Sequence, residues 1–346
     1  MTSRVVHVGV VGDVPGGMAQ VVNEYLTWTF PGFEVEAVAS TRGRHDPAAL
    51  VLWLRAAVVL LARRVRCGRS TIAAFHLSER GSFVREGSLV VWARLIGLHV
   101  AVHLHGAQFV EFAAARPGLV TRVLERAELV LVLTAATHDV VASLLGSRSG
   151  VRVVRISNAV ALPPEAGEKE DVVLFGGEIG HRKGVDVLLR AWDAIPANDR
   201  AGWRLRLLGP RAMTLAPADL GGDVELLPPV GRRAMALEQS RAAVAVLPSR
   251  DEALPMFLVE SMAHGCAVVA TPVGEVAALL ENGAGTLVAV DDADGLARAL
   301  ADLMTQDRRR GEAGRAARAR IAARHDAVRV ARDLTEHWTH LLEEPA

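Results

Sequence analysis

Cysteine is nearly missing from this chain: Cys67 and Cys266 are the only two in 346 residues. Two thiols so far apart in sequence make neither a disulfide framework nor a metal knuckle, and they suit a reducing cytoplasm. Lysine is just as scarce, with Lys169 and Lys183 standing alone among arginines, so a lysine kept beside Arg182 marks its loop. Net charge is absent, since 39 basic residues face 39 acidic ones, and without a global field a nucleic-acid partner is not expected. Long hydrophobic runs are wanting too. The stretch 51–62 is interrupted by Arg55 and is too short to span a bilayer. The apolar start, 1–12, has no long hydrophobic core and no small-residue cleavage site, so it reads as a first strand and not a signal peptide. No Gly-x-Gly-x-x-Gly follows that strand, which argues against a dinucleotide-dependent dehydrogenase.

What the chain does contain is a soluble globular composition, 51% apolar and 23% charged, long enough for two domains. Short β-branched runs alternate with amphipathic stretches, the signature of parallel sheets with helices on both faces. Strands are expected at 5–11, 35–39, 100–104 and 129–133, and helices at 18–29, 48–66 and 89–96. A proline- and glutamate-rich segment, 162–170, then reads as a linker. The pattern restarts with strands at 172–175, 204–208, 244–247 and 267–270. A helix is expected over 185–192, where Val185, Leu188, Leu189 and Trp192 share one face. The arginine-rich stretch 308–324 reads as charged surface helix. The fold class is therefore α/β, with two Rossmann-like doubly wound parallel-sheet domains and ligands expected in a central cleft at the strand carboxyl ends. The division is 1–161, a first domain; 162–170, the linker; 171–325, a second domain; and 326–346, a helix that packs back on the first domain.

The segment from Glu252 to Glu260 carries the most chemistry. Pro255 suits the opening of a helix, the amides of Met256, Phe257 and Leu258 would then face a phosphate, and Glu260 lies about a turn further in. Two carboxylates and a row of donors serve hydroxyls plus phosphate, although a pair of glutamates at this spacing is commonly just solvated. A second element runs from Phe175 to Gly184, where glycines admit a ligand to the backbone and Arg182 and Lys183 offer charge-assisted bonds.

Together these segments resemble the retaining glycosyltransferases of family 4, which have the GT-B fold and carry a Glu-x7-Glu element in this strand-loop-helix setting. The resemblance implies that Glu252 contacts the donor sugar and phosphate region. It gives Glu260 the ribose hydroxyls, and Lys183 with Arg182 the diphosphate, and it makes 1–161 the acceptor-binding domain and 171–325 the nucleotide-sugar-binding domain. Many members place an arginine where this chain has Glu178. Gly16 and Gly17, after the first strand, resemble the glycine pair that approaches the donor. His105, in His103-Leu-His-Gly106, resembles the histidine expected near the transferred sugar, as in polysaccharide-building members, while His103 has no assigned role. Gly231 and Arg232 are placed at the base pocket, and Ser157 to Val160 at a turn before the linker.

Two histidines two apart on a strand share a face, but a zinc site needs further ligands and spacing offers none. The run Asp291 to Asp294 reads as a helix cap and not a metal motif. No metal and no cofactor is therefore expected beyond a nucleoside-diphosphate-sugar as cosubstrate. The function implied is retaining transfer of that sugar to a hydroxyl of a glycan, a lipid-linked acceptor or a small molecule, in bacterial polysaccharide or other glycoconjugate synthesis. A sugar-nucleotide epimerase or a noncatalytic sugar-nucleotide-binding subunit on the same scaffold are the alternatives. The location implied is cytoplasmic, extending to the inner face of the membrane. Arg55, Arg63, Arg64, Arg66 and Arg69 either touch an anionic lipid surface there or are solvated charge on a core-packed helix.

Overall fold

The computed structural model describes residues 2–343 except 13, 15, 16, 44, 45, 147, 148, 166 and 216–219. The chain divides into two compact units, Met1–Asn158 with Ala327–Ala346, and Ala159–Asp326.

The first unit begins β1 (Ser3–Val10), α1 (Gly17–Tyr25), β2 (Phe33–Thr41), α2 (Ala49–Cys67), β3 (Thr71–Leu77) and α3 (Arg80–Leu95). It continues β4 (His99–Leu104), α4 (Phe109–Ala115), α5 (Pro117–Leu124), β5 (Leu129–Val132), α6 (Ala135–Leu145) and β6 (Arg152–Arg155). Its six strands lie in the order β2-β1-β3-β4-β5-β6, every pairing parallel. Strands β3, β4 and β5 are buried along their whole length, as a sheet covered by helices requires. Val6, Phe75, Val100, Val102 and Val130 build the core with Leu60 of α2 and Phe83 of α3.

The second unit starts β7 (Glu170–Gly176), α7 (Val185–Ala194), α8 (Ala197–Arg200), β8 (Arg204–Leu208), β9 (Val224–Leu227), α9 (Arg232–Arg241) and β10 (Ala242–Leu247). Then come α10 (Met256–Ala263), β11 (Ala267–Ala270), α11 (Val276–Leu279), β12 (Thr286–Leu287), α12 (Ala293–Thr305) and α13 (Asp307–Arg324). The order is β12-β11-β10-β7-β8-β9, again parallel throughout. On α7, Val185, Leu188, Leu189 and Trp192 are buried, the face that their spacing predicts. The final helix, α14 (Ala327–Glu343), belongs to the first unit. It sets Trp338 against Phe30 and Phe33, with ring centroids 4.8 and 5.6 Å apart.

Each sheet has one place where successive connections leave in opposite directions, between β1 and β3 in the first and between β7 and β10 in the second. A crevice opens at the carboxyl ends of the strands at such a switch point, which is where α/β sheets bind ligands.

Candidate functional site

At the switch point of the second unit, the loops after β7 and β10 are locked together. Gly184 adopts φ +70°, and a Cβ there would meet the Pro248 carbonyl oxygen at 1.9 Å, so only glycine lets the two loops approach this closely. Arg250 donates its backbone N–H to the Arg182 carbonyl at 2.9 Å. Its guanidinium grips Asp186 at 2.8 and 2.9 Å and also reaches Asp291 at 2.5 Å. That side-chain bond holds the Asp186 carboxyl below its usual range and pushes the Arg250 guanidinium up.

This frame sets Lys183 against Glu252. Lys183 Nζ donates to Glu252 Oε1, and the two side chains are only 13% and 10% exposed. Ser249 Oγ donates to the same carboxylate oxygen at 2.8 Å. Gly177 lies beside the lysine stem, where a Cβ would stand 3.6 Å from Lys183 Cε. Arg182 is exposed and donates through Nη1 to the Asp251 carbonyl at 3.0 Å. The other lysine, Lys169, is spent on the carbonyls of Gln239 and His264 at 3.2 and 2.9 Å. Glu178 is exposed.

Beyond Glu252, Pro255 precedes α10 as expected. Leu258 is not the open donor that its position suggests: its N–H bonds the Pro255 carbonyl at 3.1 Å, because the first turn tightens to satisfy an amide that an α-helix would leave unpaired. Met256 and Phe257 supply the first two amides of the helix, where a regular α-helix provides no carbonyl partner, and their side chains are buried. Glu260 is tied to α9: Gln239 Nε2 donates to its Oε2 at 3.4 Å and to the Phe257 carbonyl at 3.3 Å. Gly231 caps α9 at its N-terminus and Arg232 opens that helix. Asp292 caps α12, accepting from the Gly295 N–H at 2.7 Å, and Asp291 pairs with Arg250, so these carboxylates have structural employment. Sequence reading missed Ser249, Gln239 and the Arg250 pairings. Ser249 stood three residues before Glu252 in the same loop, and the other contacts needed a fold to reveal them.

At the switch point of the first unit, Gly17 opens α1, while Gly16 lies outside the described residues. Asn23 of α1 bonds Gly12 in both directions, at 2.9 and 3.3 Å, tying the loop to its helix. His105 follows β4, its N–H held by the Leu77 carbonyl at 2.8 Å. Gly106 is pressed on Glu79, whose Oε2 would lie 1.9 Å from an added Cβ. His76 is the register partner of His103, and it extends the pair into a row. His7 Nδ1 and His76 Nε2 are 2.8 Å apart, as are His76 Nδ1 and His105 Nε2. The third imidazole that sequence spacing did not offer thus comes from β3, and one ring nitrogen each of His76, His103 and His105 lie within 4.8 Å of one another. Both nitrogens of His103 are buried without a partner among the described residues. Burial lowers His7 to about 3; burial, with the neighbouring imidazoles, lowers His105 to about 3 and holds His76 and His103 well below the usual value. The row is therefore neutral at physiological pH.

Residues 170–306 match the glycosyl transferases of group 1. A D-inositol 3-phosphate glycosyltransferase of Mycobacterium avium is 33% identical over 180 residues, 49% of this chain and 39% of that protein. A phosphatidyl-myo-inositol mannosyltransferase of Mycolicibacterium smegmatis is 34% identical over 176 residues, 49% of this chain and 45% of that one. The matched stretch thus spans less than half the length of either relative. Among solved structures, the sucrose-phosphate synthase of Thermosynechococcus elongatus superposes with a TM-score of 0.74 at 18% identity, covering 98% of this chain and 99% of that one. Anabaena HepE in complex with UDP and glucose gives 0.75 at 14%, covering 98% and 100%. At such identities these likenesses establish the fold, and it is GT-B.

Proposed function

From the premise that the chain belongs with the group 1 glycosyl transferases, of the GT-B family 4 type, we propose that it moves a sugar from a nucleoside diphosphate to an acceptor hydroxyl with retention of anomeric configuration. The Lys183–Glu252 pair at the switch point carries this reading. Both residues lie within the matched stretch, on the two loops where such a sheet binds its ligand. HepE, similar in fold, was solved with UDP and glucose, which supports a donor of that class.

In the proposed reaction the acceptor oxygen forms a bond to the anomeric carbon as the bond from that carbon to the diphosphate oxygen breaks. The acceptor proton passes to the departing diphosphate. Charge builds on that leaving group, and preorganised cations with helix-end amides stabilise it. Lys183 and Arg182 take the cationic part, and the first amides of α10, those of Met256 and Phe257, add the positive end of a helix. Glu252, tied to Lys183 and Ser249, orients the lysine and receives sugar hydroxyls. Glu260, held by Gln239, takes the ribose. Gly231 and Arg232 border the base, and in the first unit Gly17 and His105, a neutral imidazole, are the residues that the resemblance assigns to substrate. No metal enters this scheme, because the cations are side chains and the Asp291 and Asp292 carboxylates are engaged elsewhere.

The acceptor is a glycan, a lipid-linked glycan or a small polyol, and the reaction serves polysaccharide or glycoconjugate synthesis at the cytoplasmic face of the membrane. The epimerase reading is not favoured, since the two matched relatives are named as transferases; the noncatalytic reading predicts no turnover in the test that follows. The test incubates labelled UDP- and GDP-hexoses with a panel of such acceptors in EDTA and reads the product linkage by NMR. An α-linked product from an α-linked donor is expected. An inverted linkage, or donor interconversion without an acceptor, would overturn the proposal.

A further inference from the structure

Three imidazoles of the first unit converge from two neighbouring strands. His76 stands on β3, His103 is its register partner on β4, and His105 is the residue after β4. One ring nitrogen from each lies within 4.8 Å of the other two. His76 Nδ1 and His105 Nε2 are 2.8 Å apart, and the His103 and His105 ring centroids 4.0 Å. Nitrogens that share one tetrahedral ion at about 2.0–2.1 Å stand about 3.3 Å from one another. Small side-chain rotations therefore bring all three onto a common centre.

His103 gives an independent reason to place a ligand there. It is 3% exposed, yet neither of its nitrogens has a partner among the described residues. A neutral imidazole carries one donor and one acceptor, and each left unmet in a core costs about 1–3 kcal/mol, so such a group calls for an ion or a water. The surrounding wall offers little: Tyr25 lies nearly parallel to the ring at 6.4 Å, and Ala101, Leu131, Leu334 and Trp338 line the small cavity beside it. Outer support for a ligand set is also in place. His76, ligating through Nδ1, keeps its Nε2–H for His7 Nδ1 at 2.8 Å, the second hydrogen bond that fixes a ligating histidine in one tautomer and orientation. A set of imidazoles with no carboxylate among them suits zinc, copper or nickel, whereas magnesium and calcium take oxygen.

We infer that His76, His103 and His105 form a three-imidazole site for a divalent transition-metal ion, zinc first among them, with a fourth coordination position left open. The inference stands on the geometry of the first unit and does not depend on the sugar-transfer reading. Where both hold, an ion on His105 withdraws that imidazole from the sugar, and the EDTA of the transfer assay keeps the two questions apart.

The metal alone is the probe, added to the full-length chain after EDTA treatment and dialysis. Calorimetry with zinc is expected to show one equivalent bound, and cobalt in its place to give the intense visible bands of a four-coordinate ion. Removing an outer hydrogen bond weakens a metal about 10–100-fold, so His7→Phe is expected to fall in that range and to keep the bands. Loss of a ligand goes further: His76→Gln and His105→Gln are each expected to weaken zinc by at least about 100-fold and to abolish the bands. The thermal midpoint of each variant is read in EDTA. Should His76→Gln lower it, His105→Gln, at the less buried end of the cluster, carries the expectation alone. Wild-type protein that binds no zinc overturns the inference and leaves the cluster to water. Binding that the glutamine variants retain overturns it equally, since it would assign the ion to exposed histidines such as His181.

Discussion

Lys183 shows how much one side chain can depend on its neighbours. Its ammonium is a compact charge on a flexible stem, and pairing with Glu252 fixes where that charge waits. The histidines of the first unit show the opposite economy, with four imidazoles held neutral by burial. Their sign is definite. A histidine whose folded pKa lies below its unfolded value of about 6.5 binds fewer protons when folded. Stability is then full above that value and declines as pH falls toward the folded pKa. With His7 and His105 lowered to about 3 and His76 and His103 lowered with them, the midpoint of thermal unfolding should drop steadily between pH 6.5 and 4. Replacing His103 by Phe should flatten that slope by about one proton. A midpoint unchanged across this range would contradict the buried neutral row.

Among the elements, the pairing of the loops after β7 and β10 depends on Gly184. Alanine there would need φ +70° and would overlap the Pro248 carbonyl. A left-handed non-glycine residue costs about 1–2 kcal/mol, and forced packing adds about 1–3 kcal/mol. Gly184→Ala should therefore lower stability in urea by about 2–5 kcal/mol, and an unchanged midpoint would show that the loops are not clamped there. Much of this element list was legible in sequence. Strands β8 and β11 fall at the expected residues, and the apolar face of α7 follows from its period. Strand β3 was not foreseen, because Thr71 to Leu77, with Ala73 and Ala74 at its centre, lacks the valines that mark β4 and β5. Strands β6, β9 and β12 are edges or short pieces with little pattern of their own. In the candidate site, motif segments told which loops matter, since Lys183 and Glu252 each sit in a recognisable stretch. They did not tell that the two side chains touch across 69 residues of sequence, nor that Leu258 spends its amide on Pro255. His76 opposite His103 is a matter of strand register, which no single segment encodes.

The whole molecule has two switch points, one per sheet, and each gathers the residues that the sequence had marked: Gly17 and His105 in the first unit, Lys183 and Glu252 in the second. Its net charge of zero leaves local charge to do the selecting, at the lysine of the second unit. The account rests on the second switch point being a diphosphate site. Calorimetric titration of UDP, GDP and ADP into the wild-type chain and into Lys183→Ala tests this most directly. At least one nucleoside diphosphate should bind the wild type, and the variant should bind it about 30-fold or more weakly, as loss of a charge-assisted contact worth about 2–3 kcal/mol requires. Equal affinity in the two proteins, or no binding of any of the three to the wild type, would contradict the account.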